Sequence, residues 1–120
     1  MSSEAYHEVN LSDETKDIHR AIVSLKEELE AVDWYNQRAD VTDDAELRAV
    51  LEHNRDEEIE HAGMLLEYLR RKMPQFNEEL GTYLFKSAPI TEIEEAAAES
   101  EEDAPADSGG GHSLGIGRLG

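Results

Sequence analysis

Two long amphipathic patterns separated by only three to five residues constrain this chain more than any other feature. The first follows Ser12, a suitable N-cap, with Asp13, Glu14 and Asp17 near the positive end of the helix dipole. Its apolar positions are Ile18, Ile22, Leu25, Leu29 and Val32, spaced alternately four and three apart, as on a packed helix seam. The pattern runs to about Ala39. The second opens at Thr42-Asp43-Asp44, where Asp43 and Glu46 have capping-box spacing. It runs to about Lys72, where Arg70, Arg71 and Lys72 suit a helix C-terminus and Pro74 prevents continuation. Each helix is therefore about 40–45 Å long. So short a connection makes them an antiparallel hairpin. A third, short amphipathic helix is expected over 78–86, through Leu80, Tyr83 and Leu84.

A two-helix hairpin is one layer and leaves its seam half covered. The expected fold is all-α, a four-helix bundle completed by homodimerisation. Residues 1–90 form the helical domain on this reading. Residues 91–112 hold eight acids and no Lys or Arg. They read as a disordered, self-repelling linker. Residues 113–120 form a separate peptide.

Charge narrows the function. Eleven Lys and Arg against 29 Asp and Glu give a net charge of −18. That excludes a nucleic-acid binder held by phosphate contacts and argues against attachment to an anionic membrane. No apolar run approaches the ~20 residues that span a bilayer. Met1 to Asn10 is polar and lacks a signal-peptide core. There is no Cys, so disulfides, zinc–thiolate sites and thiol catalysis are excluded.

The chemistry lies where the second seam is broken. Leu47, Leu51, Asn54, Leu65 and then Tyr68 or Leu69 set a phase that calls for apolar residues at 58 and 61, but Glu58 and His61 stand there. A carboxylate in a seam costs several kcal/mol unless it is paired or bound to a metal. At i and i+3 the two side chains share one face and can reach one ion. Glu-x-x-His is the inward motif of dinuclear carboxylate bundles, accompanied there by a Glu from each of the other helices. Glu28, beside the first seam, supplies that Glu. One chain then carries half of a dinuclear ligand set, and two chains carry four carboxylates and two imidazoles. Oxygen-rich sets with one imidazole per metal suit iron or manganese better than structural zinc. Iron is the expected metal, two per dimer.

The stretches Glu27-Glu28-Leu29-Glu30-Ala31-Val32-Asp33-Trp34-Tyr35 and His53-Asn54-Arg55-Asp56-Glu57-Glu58-Ile59-Glu60-His61-Ala62 resemble the encapsulated ferritins. The segment Ser113-Leu114-Gly115-Ile116-Gly117-Arg118-Leu119 looks like their encapsulin cargo-loading peptide. The resemblance implies a ferroxidase, Glu28, Glu58 and His61 being its iron ligands and Tyr35 an aromatic near the centre. It implies an iron-attraction site at Glu27, Glu30 and Trp34, and a weaker outer cation site at His53, Glu57 and Glu60. It further implies that dimers close into an annular decamer. Leu114, Ile116 and Leu119 would anchor the chain to an encapsulin shell in the cytoplasm, where the oxidised iron is mineralised and stored. Dioxygen and peroxide both remain open as oxidants. Two other readings stand beside this one: a non-enzymatic helical adaptor, and a di-metal peroxidase of the rubrerythrin sort, which the absence of Cys disfavours.

Overall fold

A computed structural model describes residues 5–103 and contains four helices among them. These are α1 (Asp13–Val41), α2 (Ala45–Lys72), α3 (Pro74–Tyr83) and α4 (Ile90–Asp103). None of the described helices is long and apolar enough to cross a membrane. The chain divides into two compact units, one up to Leu69 and one from Arg70 onward.

The first unit is the expected hairpin. Ser12 caps α1, its Oγ accepting the Thr15 N–H at 3.1 Å. The turn is built by side chains. Thr42 Oγ1 accepts from the Asp44 N–H at 3.3 Å. Asp44 Oδ1 accepts from the N–H groups of Glu46 and Leu47 at 2.9 and 3.2 Å. Asp44 is thus the N-cap of α2, one residue later than the capping box expected at Asp43. Arg48 then fastens the two helices, donating Nε to the Ala39 carbonyl at 3.1 Å and Nη2 to the Thr42 carbonyl. Further along, Arg55 Nη1 donates to Asn36 Oδ1 at 3.0 Å. As the α2 position advances from 48 to 55, its α1 partner retreats from 39 to 36, so the helices are antiparallel.

The unit buries little of its own apolar surface. Ala21, Ala39, Ala62 and Leu69 are buried, and among the described residues Leu69 is the one large side chain fully removed from solvent. Ile22 and Leu29, two members of the first seam, are exposed. So are Leu47, Val50 and Met64, which share the stripe of α2 that carries His61. A hairpin with this much uncovered apolar surface lacks a closed core.

The second unit departs from expectation in two places. The third helix starts at Pro74, four residues before the expected 78, because Pro is preorganised for the first helical position and needs no N–H partner there. It ends at Tyr83 rather than 86. Asn77 is buried in it and accepts a hydrogen bond from Arg70 Nη1. The start of the supposed disordered linker is helical: α4 covers 90–103, and α3 packs against it. Glu and Ala have high helix propensity, and Ile93 and Ala97 give α4 one half-buried stripe. Residues 104–112 and the peptide 113–120, with Leu114, Ile116 and Leu119, lie outside the described residues.

The cap assignment at the turn can be checked by urea unfolding of two variants. Asp44→Ala loses about 1 kcal/mol of stability, as N-cap removal does. Asp43→Ala stays within about 0.5 kcal/mol of the parent.

Candidate metal centre

The antiparallel register places Glu28 of α1 opposite the turn of α2 that carries Glu58 and His61. His61 Nδ1 lies 3.5 Å from Glu28 Oε2 and 3.4 Å from Glu58 Oε1. One ligand atom from each residue falls within 4.8 Å of the other two. Two ligands of a single first-row ion at ordinary bond lengths sit no more than about 4.2 Å apart, so small side-chain adjustments close the set. Among the described residues this is the one group of three or more His, Asp or Glu side chains with such spacing.

The cluster is half sheltered. Side-chain exposure is 23% for Glu28, 26% for Glu58 and 43% for His61. Glu28 Oε2 is sealed from solvent, and His61 Nδ1, 3.5 Å away, does not complete a hydrogen bond to it. A buried carboxylate oxygen without a donor is unfavourable unless something else satisfies it. The electrostatics agree: the Glu28 pKa is raised. The main cause is a hydrogen bond with the Glu58 carboxyl that favours the protonated form; burial and the Glu58 charge act in the same direction, and His61 opposes them. A divalent cation reverses each unfavourable term by supplying positive charge to both carboxylates and a partner to the orphaned oxygen. The donor set of two carboxylates and one imidazole therefore fits a metal of the iron or manganese kind. Three donors would leave coordination positions of such a metal open, and Leu47, Val50 and Met64 are exposed on the stripe of α2 that carries His61.

The other sequence candidates are not gathered here by a single chain. Tyr35 is half-buried, and its ring faces the Arg38 guanidinium at 5.8 Å. Trp34 is exposed and shares the same guanidinium at 6.0 Å. Glu27 and Glu30 are exposed on α1 and converge with no third ligand. His53 Nε2 lies 3.4 Å from Glu57 Oε1 on the exposed face of α2, and Glu60, also exposed, completes no metal-holding group with them. Sequence reasoning missed the arginines. Arg38 lies at i+4 and i+3 from the two aromatics, a spacing that could have revealed the cation–π contact. Arg48 and Arg55 act across the hairpin, which one-helix spacing does not reveal.

The sequence profile of the EncFtn-like family matches residues 4–87. An encapsulated ferritin-like protein of Rhodospirillum rubrum is 54% identical over 126 aligned positions, covering 99% of this chain and 90% of that protein. A ferritin-like protein of Thermotoga maritima is 53% identical over 109, covering 89% and 96%. A Nitrosomonas europaea protein of known crystal structure is 61% identical, with a TM-score of 0.69 over 72% of this chain and 97% of that one.

The raised Glu28 pKa makes a signed prediction. The folded state holds this proton more tightly than the unfolded state does. The associated stability is present below the unfolded carboxyl pKa and is lost as pH rises through the folded one. Glu28→Gln cannot acquire the charge. In metal-free thermal unfolding it should match wild type near pH 4 and exceed it near pH 7. Added Co²⁺ should raise the melting temperature of wild type and leave that of the variant unchanged.

Proposed function

Because the chain belongs to the EncFtn-like family of encapsulated ferritin-like proteins, we propose that it is a ferroxidase whose di-iron centre is completed between two copies. The observation that carries this reading is the half-built cluster. Glu28, Glu58 and His61 converge with one carboxylate oxygen buried and unpartnered, on a surface whose apolar residues are uncovered. A second copy related by a two-fold axis brings the same set to face the first and covers the same apolar stripe. The resulting four carboxylates and two imidazoles match the ligand count of dinuclear bundles. The N. europaea likeness extends the family fold to 97% of a solved chain but says nothing of metal.

Fe(II) is the substrate. Binding displaces the proton that Glu28 favours, and the two carboxylates then neutralise the incoming charge. His61 binds as the neutral imidazole, a donor that holds Fe(II) without adding charge. Each Fe(II) gives up one electron, so two ions reduce one dioxygen to peroxide or one peroxide to water. Carboxylate oxygens stabilise Fe(III) more than Fe(II), which favours the oxidised side of the reaction. Five such dimers close into an annular decamer, and Leu114, Ile116 and Leu119 address the assembly to an encapsulin shell. The ferric product is then mineralised in the shell lumen. Exposed Glu27, Glu30 and Trp34 gather cations once symmetry multiplies them around an axis. His53, Glu57 and Glu60 hold a cation weakly on the outside. Tyr35 packs beside the centre.

Aerobic addition of Fe²⁺ to the purified protein, followed by Fe³⁺ absorbance, tests the assignment. Wild type should oxidise iron at least about a hundredfold faster than Glu58→Ala, because removing even an outer partner of a ligand costs about ten- to a hundredfold. The variant should keep its helical circular dichroism. Full activity in Glu58→Ala means the ligands lie elsewhere.

A further inference from the structure

The second unit contains a groove that iron oxidation does not use. It lies between the end of α3 and α4 and encloses about 450 Å³. Ala88, Ile93, Ala96 and Ala97 line it with small apolar groups, and Lys86 and Glu92 add one charge of each sign. The groove exists because the stripe that α4 turns inward is mostly alanine, which fills little of the space beside α3. Volumes of this size accept several side chains.

The loop between the two helices is built to present apolar groups. Phe85 is fully exposed and has φ 61°. A bulky side chain in the left-handed region is strained and persists only where its surroundings impose it. Next to it, Lys86 Nζ donates to the carbonyls of Gly81 and Thr82 at 3.4 and 3.1 Å, at the end of α3. Leu84 and Ile90 are exposed on either side of this loop.

We propose that the groove is the resting seat of segment 113–120 of the same chain. Helix α4 ends at Asp103, three residues beyond Ser100, which lines the groove. Nine residues, and so ten Cα–Cα steps, separate Asp103 from Ser113. They can span up to about 33–36 Å. The stretch of α4 from Glu92 to Ser100 is only about 12 Å long, so the segment reaches every part of it. The chemistry also matches. Leu114, Ile116 and Leu119 supply branched apolar side chains where the groove offers only small ones. Gly115 and Gly117 allow the backbone to approach closely. Arg118 is the only Lys or Arg after Lys86, and α4 presents Glu92, Glu94, Glu95 and Glu99. The purpose of the seat rests on the proposed role of 113–120 as a shell address. Groove and shell compete for the same aliphatic side chains, so the address stays covered until a shell surface takes it.

The test is hydrogen exchange of the full chain without any shell, compared with the variant Leu114→Ser/Ile116→Ser/Leu119→Ser. These changes lie outside all four helices. Amides of 93–100 should exchange about tenfold faster in the variant, as a docking equilibrium of about ten gives. The wild-type protection should be unchanged by tenfold dilution. Equal exchange in the two proteins overturns the proposal. So does protection that falls on dilution, which assigns the groove to a second copy. Copurification of the variant with a coexpressed encapsulin shell separates the two readings. If the variant still copurifies, the shell address is wrong, whether or not the groove is occupied.

Discussion

Everything in this chain depends on bringing two carboxylates together in a place that water only partly reaches. Glu28 and Glu58 belong to different helices, and the neighbouring Glu58 carboxyl makes the charge on Glu28 costlier. Left alone, such a pair pushes the hairpin apart. The register that forces them together is fixed some distance away, where Arg48 ties α2 to the carbonyls of Ala39 and Thr42 and Arg55 ties it to Asn36. Local order at the turn is thus spent on holding an unfavourable arrangement two to three turns further along. Such an arrangement has a physical purpose if a cation completes it, because the same proximity that repels in the empty cluster attracts once positive charge is present.

The same logic extends to the apolar surface. The hairpin has two long helices yet fully buries only one large side chain among the described residues, Leu69. Leu47, Val50 and Met64 remain uncovered on the stripe that carries His61. On the proposed reading the metal ligands are incomplete on that side as well. On the proposed reading, one event repairs both deficits: a second copy docks over the cluster. Charge makes this arrangement sensitive. A chain of net charge −18 repels its copies, and cations bound between them reduce that repulsion.

Much of this was legible in the sequence, for identifiable reasons. The hairpin follows from 3.6-residue periodicity and a connection too short for any other topology. Glu58 and His61 stood out because they occupy apolar positions of an otherwise regular seam, and Glu28 because it lies beside the matching seam. The parts that escaped share a cause: they depend on side-chain competition or on distant partners. Asp43 and Asp44 are chemically identical caps, and only the geometry of the turn chooses Asp44. Acidic composition suggested disorder over 91–112, but Ile93 and Ala97 at i and i+4 give α4 a half-buried stripe, and α4 packs on α3. The gathering of Glu27, Glu30 and Trp34, or of His53, Glu57 and Glu60, is not visible in one chain.

The central claim is that one chain holds half of a metal centre and a second copy holds the rest. Sedimentation velocity during an anaerobic Fe²⁺ titration tests it most directly, because binding and association are read in one sample. The account predicts that the oligomer fraction rises with iron and that the rise ends near one ion per chain. Iron bound at that ratio with an unchanged sedimentation profile would contradict it, because the metal site would then be complete without a second copy.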